Sequence, residues 1–470
     1  MIEPIHLNTP SRGRRSFRRR RWGPTSARML MTSWLACCVL LAISISGAQA
    51  AVVWTSPGKL PVTAGKLWSL AIDPANPLIA LAGTDSGVYR SADGGIKWAA
   101  TSLHGERVFV VGFDPRGSHP ALAGTDGHGV SMSADGGGTW ADSSSGLTSL
   151  IVRCMTFGVS AIAVGTDKGV DASPDGKTWS AIGPVAVSVS AITVAANSPS
   201  FTLLAGTDSG DVSNGALYEY TPTGWVVLGP SSGLPKGVTV FGLASGPPTT
   251  ANPKRSLVVN ASITPAQVGG TYRSVDGGVN WTASQGIPKI ADTQLLAPTT
   301  TTISPLDPNL VYIGADYGGS SGGDLLRSTD GGATFAVFDS GLPDGSKNVT
   351  TIAVAPTTPP IVMAGLNPPT GSGALVYKTT DAQAPPPPRL VAEAGAPAPS
   401  AVPTPAPTAT PAVVPSATPA PVSTPSGLRA FAQSALHWPT PLIYELLFVL
   451  LVIYVFVRWR QRAYIEGPPD

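Results

Sequence analysis

Carboxylates set among glycines recur along this chain, and a carboxylate at a fixed spacing can cap a turn, ligate a cation or move protons. The clearest are Asp93 in Ser91-Ala92-Asp93-Gly94-Gly95-Ile96-Lys97-Trp98, Asp135 in Ser133-Ala134-Asp135-Gly136-Gly137-Gly138-Thr139-Trp140, Asp276 in Ser274-Val275-Asp276-Gly277-Gly278-Val279-Asn280-Trp281, and Asp330 in Ser328-Thr329-Asp330-Gly331-Gly332-Ala333-Thr334-Phe335. Asp175 stands in a contracted copy, Ser173-Pro174-Asp175-Gly176-Lys177-Thr178-Trp179. In each box a short carboxylate can accept N–H bonds from its own turn while glycine supplies positive φ, so these five aspartates are read as turn residues. A second set closes Gly-Thr-Asp turns at Asp85, Asp126, Asp167 and Asp208, continued by Asp316 in Gly314-Ala315-Asp316 and Asn367 in Gly365-Leu366-Asn367. These can cap turns or bind a ligand.

Other reactive side chains mark out no catalytic set. The repeated region holds two glutamates, Glu106 and Glu219, and Glu219 in Tyr218-Glu219-Tyr220 aligns with the strand-like Tyr89-Arg90-Ser91. Arg90, Arg273 and Arg327 occupy one recurring place beside the box. His104, His119 and His128 lack metal-ligand spacing, and Cys154 reads as a small apolar residue without a catalytic partner. No catalytic residue, metal or cofactor is therefore expected.

The elements that must carry these side chains follow from a period. Gly83, Gly124, Gly165 and Gly206 are each 41 residues apart; Gly314 lies 108 residues beyond Gly206, and Gly365 another 51 beyond that. One unrecognised turn in the long interval makes the count seven, and periods of this size belong to solenoids, propellers or arrays. Within the first repeat, Leu67-Trp68-Ser69-Leu70-Ala71-Ile72 is cut off from Leu78-Ile79-Ala80-Leu81 by Asp73-Pro74-Ala75-Asn76-Pro77, which no helix would span. Short strands at regular spacing, about four per repeat, predict an all-β, single seven-bladed β-propeller over residues 51–383. The last repeat stops at Tyr377-Lys378-Thr379-Thr380-Asp381, lacking its aromatic strand. Trp54-Thr55-Ser56-Pro57-Gly58-Lys59-Leu60-Pro61 supplies the match, so the N-terminal strand is expected to complete the seventh blade.

On these repeats the sequence resembles the Asp-box, or BNR, propellers, a superfamily that includes sialidases, sortilin-type receptors, xyloglucanases and photosystem II assembly factors. The resemblance implies that each box joins the third and fourth strands of a blade and that its aromatic packs between blades. It also implies that Asp85, Asp126, Asp167, Asp208, Asp316 and Asn367 ring the opposite face, as a candidate site for a cation or hydroxyl-rich ligand. The arginine triad and Tyr–Glu pair of the sialidases have no counterpart here, and xyloglucanases work across two propellers where this chain has one.

The ends set the expected compartment. Residues 1–28 form a basic N-terminal region with eight arginines, and 29–50 read as a signal peptide ending in Ala48-Gln49-Ala50. Arg14-Arg15 has a twin-arginine look, Leu35-Ala36-Cys37 a lipoprotein look, and a later start at Met29 or Met31 is also open. Residues 384–426 are Pro/Ala/Thr-rich and read as a disordered stalk opening on Pro385-Pro386-Pro387-Pro388, followed by a juxtamembrane segment, 427–440. Residues 441–457 are apolar apart from Glu445 and read as a transmembrane helix, and Arg458, Arg460 and Arg462 mark 458–470 as a basic cytoplasmic tail.

The overall net charge of +2 hides an asymmetry. Without residues 1–28 and 458–470, 19 basic and 25 acidic side chains remain, a net of −6, which argues against nucleic-acid binding. The expected protein is a single-pass bacterial surface protein with its propeller outside, non-enzymatic, binding a protein or glycan ligand. A glycoside hydrolase of the sialidase or xyloglucanase type and a photosystem II assembly-like factor are the alternatives.

Overall fold

A computed structural model of the protein describes residues 53–391, except 184–186, 197–200, 208–216, 222, 236, 264–267, 291–293, 296, 317–323, 344–347 and 369–372. The expected basic region, signal, juxtamembrane segment, transmembrane helix and tail lie outside the described residues, as does the stalk beyond Val391. Among the described residues no helix is long and apolar enough to cross a membrane.

Seven four-stranded antiparallel sheets run through the described residues. Blade I shows the plan: Leu67–Ile72, Ala80–Thr84, Gly87–Ser91 and Ala99–His104 pair in sequence order. The first strands of the next five blades are Val108–Phe113, Val152–Phe157, Val189–Ala196, Val238–Ser245 and Ala297–Ile303. Blade VII closes the circle, with Val349–Val354, Ile361–Leu366 and Leu375–Thr380 joined by the N-terminal strand Thr55–Lys59, which pairs with Leu375–Thr380. The expected closure by Trp54 and its strand is thus present. The first strands contact one another all the way round, blade VII to blade I included, so they enclose the central axis.

The Gly-Thr-Asp turns follow from how tightly the blades stack. The second strand of blade I, Ala80–Thr84, is buried along its whole length, as are its counterparts Ala121–Thr125 and Ile162–Thr166. A Cβ on Gly83 would stand 2.6 Å from Ser69 Oγ and 3.0 Å from the Val108 carbonyl, and one on Gly124 would meet Val152 Cγ1 at 2.6 Å. Glycine is therefore needed because the next blade's first strand presses on it. Thr84 then donates to the Gly87 carbonyl at 2.8 Å and accepts from Ser86 N–H, tying the turn. In blade V the glycine is replaced by buried Asn260, whose Nδ2 donates to Thr300 O at 3.0 Å. That substitution is why the turn in the long interval has no Gly-Thr-Asp signature.

Seven apolar clusters lie at the seven junctions between successive blades, each with one aromatic from a fourth strand or the turn before it. From the VII/I junction onward these are Trp98, Trp140, Trp179, Trp225, Trp281, Phe335 and Trp54. Full burial of one such ring, as at Trp54, Trp179, Trp281 and Phe335, contributes roughly 1.5–3 kcal/mol, and the half-buried Trp98, Trp140 and Trp225 contribute less. Blade IV has no box, yet Trp225 fills its place and donates to Ile182 O.

Candidate functional site

The box aspartates do what a short carboxylate among glycines does best. Asp93 Oδ1 accepts from Ser91 Oγ at 2.9 Å, Ile96 N–H at 3.0 Å and Lys97 N–H at 2.9 Å, while Gly95 N–H donates to Ser91 Oγ. Asp135 repeats the pattern with Ser133, Gly138 and Thr139, and Asp175, Asp276 and Asp330 with their own turns. The Thr139 N–H first, then the Ser133 hydroxyl, hold the Asp135 carboxyl far below the ordinary carboxylate value. All five join the third and fourth strands of their blades.

The recurring arginines also act between blades. Arg90 Nε donates to Gly136 O at 2.8 Å, and Arg273 Nη1 to Asp330 O at 2.9 Å, each reaching the box of the next blade. Arg327 Nη1 reaches the matching place in blade VII and binds the fully buried Asp381 at 2.6 Å, whose other oxygen accepts from Tyr312 Oη at 2.7 Å. Glu219 lies within the strand Leu217–Thr221, and burial pushes its carboxyl up. Cys154 packs on the apolar cluster between blades III and IV, its thiol pushed up to about 12 by burial.

The opposite face differs from an open ring of acceptors. Asn367 closes the circle: its Oδ1 accepts from Leu67 N–H at 2.8 Å and its Nδ2 donates to Leu67 O at 2.9 Å, so it joins blade VII to blade I. Asp85 accepts from Lys66 N–H, from Trp68 Nε1 at 2.8 Å and from Arg107 Nε at 2.9 Å. Burial pushes its carboxyl up, but these bonds more than reverse that and leave it below the ordinary value. Arg107 also reaches Asp126 at 3.1 Å, so the two turns are bridged rather than free. Asp167 keeps Oδ1 without a hydrogen-bond partner among the described residues. Asp316 ends the second strand of blade VI, and Asp208 lies outside the described residues.

What this face presents is an array of cations and rings at the mouth of the central channel. Every first strand carries a register shift near the end that meets the Gly-Thr-Asp turns, and the residues at these shifts are Trp68, Phe109, Arg153, Ser190, Phe241, Thr299 and Thr350. A bulge at one place in all seven strands re-aims the side chain it carries. Ser190, Thr299 and Thr350 donate to main-chain carbonyls of the next blade, Val240, Val349 and Leu67. The other four are large. Trp68 and Phe109 meet edge to face at 5.4 Å between centroids. Lys66 Nζ stands 4.0 Å over Trp68, Arg107 caps both rings at 5.6 and 5.8 Å, and Arg153 lies 5.8 Å from Phe109. Phe241, in blade V, is 48% exposed. Beside the array, His128 Nδ1 lies 2.5 Å from Glu106 Oε2.

Sequence reasoning missed Lys66, Trp68, Arg107, Phe109, Arg153 and Phe241. One signal was present: Trp68 and Phe109 each stand 15 residues ahead of their turn glycine, as do Thr299 and Thr350. Asn260, Asn280 and Asn348 each begin an Asn-x-Ser/Thr sequon, and Asn260 is fully buried with both ends of its amide bonded, so the folded chain cannot carry a glycan there.

No family model matches the chain, and no curated protein matches it in sequence. Solved structures do match. The GH74 xyloglucanase from Xanthomonas campestris is 17% identical with a TM-score of 0.51, the match covering 71% of this chain and 55% of that one. YCF48, solved bound to a D1 peptide, is 17% identical with a TM-score of 0.48, the match covering 72% of this chain and 100% of that one. The chain spans about half the length of the xyloglucanase. Likeness at this level shows a shared β-propeller fold.

Proposed function

We propose that this seven-bladed β-propeller is a surface-tethered, non-enzymatic binding protein that holds a protein or glycan ligand over the mouth of its channel. The observation that carries the reading is the array of Lys66, Trp68, Arg107, Phe109 and Arg153 across blades I to III. Trp and Arg are the residues that dominate binding hot spots, because they offer large rigid surface with a polar or charged edge. Their cost of ordering is already met here, since Arg107 is fixed by Asp85 and Asp126 and Trp68 by Asp85. In this reading residues 29–50 direct export, the Pro-rich stalk holds the propeller off the surface, and residues 441–457 anchor it in a bacterial membrane.

Photo-crosslinking in host cells tests this on the full chain. A photoreactive residue at position 153 or 241 should give discrete adducts, and one at Val226, on the outer strand of blade IV, should not. Equal yields from all three positions would remove the mouth as the binding site. Turnover in a glycosidase panel, lost on Glu106→Gln with folding intact, would replace the binding reading with the hydrolase one.

A further inference from the structure

The polyproline run expected to open the stalk does not leave the propeller. Asp381, fully buried, follows directly on the last strand and accepts from Gln383 N–H through Oδ1, while its own carbonyl accepts from Ala384 N–H at 3.1 Å. This turns the chain onto the face that carries the boxes. Ala384 packs on the apolar cluster between blades VI and VII. Pro385, Pro386 and Pro387 then form one wall of a cleft of about 280 Å³, opposite Leu306 and Leu310 of blade VI and Pro359 and Pro360 of blade VII. Past the prolines the chain reaches blade V. Arg389 O accepts from Thr250 N–H at 2.9 Å, Val391 N–H donates to Pro248 O at 3.0 Å, and Leu390 bridges antiparallel to Thr249.

The chemistry of each part suits its place. Prolines have no N–H to leave unsatisfied and are already extended, so they can cross blade VI with little loss of chain freedom and cover apolar side chains on the way. Four residues at ~3.1 Å each span roughly 12 Å, enough to pass one blade. The residues that make main-chain bonds at the far end, Arg389 and Val391, are not prolines. Pro385 and Pro388 are half-buried whereas Pro386 and Pro387 are exposed, as expected for an extended run seated at both ends.

We infer that residues 382–391 are a strap belonging to the propeller, which fastens the closing blade VII to blade V across blade VI. The propeller therefore ends at residue 391 rather than 383. The last described residues of the strap lie against blade V, where Val391 N–H donates to Pro248 O. This does not depend on what the mouth binds.

Trypsin tests the strap in the full-length protein, because Arg389-Leu390 is a cleavable bond inside it. Native protein should be cut there at least about tenfold more slowly than urea-unfolded protein, since the bond is held extended against blade V. Thr250→Pro, which removes the N–H donated to Arg389 O, should speed the cut and leave the other native cleavages unchanged. A second measurement needs no loss of structure. Antiparallel partners such as 249 and 390 lie within disulfide reach, so Thr249→Cys with Leu390→Cys, in a background with Cys37, Cys38 and Cys154 replaced by Ser, should cross-link under mild oxidation and appear as one joined peptide on mapping. Equal cleavage rates at Arg389 in native and unfolded protein, or two unlinked thiols at 249 and 390, would overturn the strap.

Discussion

Asp135 accepts four hydrogen bonds from three residues of its own turn, and protonation would weaken them by removing the charge and turning one of the two oxygens into a donor. Its folded carboxyl lies below the unfolded value of 3.8, so its contribution is fully present above that value and is lost as pH falls through the depressed folded value. The same direction holds at Asp93, Asp175, Asp276 and Asp330. Urea midpoints should therefore fall between pH 4 and pH 2, and Asp135→Asn should be less stable at pH 7 and show a shallower acid loss. Asp381 is a different case, being fully buried with Arg327 and Tyr312 on its two oxygens. Asp381→Ala leaves that guanidinium facing a buried gap and should cost about 3–5 kcal/mol by urea unfolding. Tyr312→Phe, which removes one neutral donor to a charged acceptor, should cost about 1.5–3 kcal/mol.

Single strands show where sequence is informative and where it is not. The boxes and their aromatics could be read directly, because each turn is closed by residues within four positions of its aspartate. The closing strand could be read from Trp54 because the aromatic recurs at a fixed place in every blade, and here it sits in the VI/VII cluster with its Nε1 on Phe338 O. Trp54→Ala should cost about 3–5 kcal/mol and show as a lower melting temperature by calorimetry. Blade IV was harder, since Trp225 has no box in front of it. The partners of the acidic ring could not be read in the sequence, for a physical reason. What Asp85 binds depends on Trp68, 17 residues before it, and on Arg107, 22 residues after it in another blade, and no turn signature contains that pairing. Strand bulges are likewise invisible in a pattern of apolar residues, so the side chains they re-aim went unnoticed.

Over the whole propeller, sevenfold repetition builds the walls and departures from it build the mouth. Three blades place hydroxyls at the bulge and tie them to the neighbouring blade, whereas blades I, II, III and V place Trp68, Phe109, Arg153 and Phe241 there. On the proposed binding reading, a ligand would be held off the axis, toward blades I to III. Phe241→Ala and Arg153→Ala sit at exposed positions and should change stability by about 0.5 kcal/mol or less. Photo-adducts from the remaining mouth positions should fall several-fold in the same variants, and the deficit of Arg153→Ala relative to the parent should shrink as ionic strength rises and that charge is screened. Equal adduct yields in the variants and the parent would place the ligand elsewhere.

Closure by the first strand also sets a clock. Thr55 pairs with Lys378, 323 residues later in the chain. A ribosome adding about 5–20 residues per second needs roughly 16–65 s to cover that interval. For that time the earliest-made strand waits without a partner while the blades that follow are made, and the growing arc keeps two uncovered flanks. A nascent chain of this kind is exposed to mispairing for most of its synthesis, and slowing translation late, after blade VI, lengthens the hazard more than the same delay before blade I.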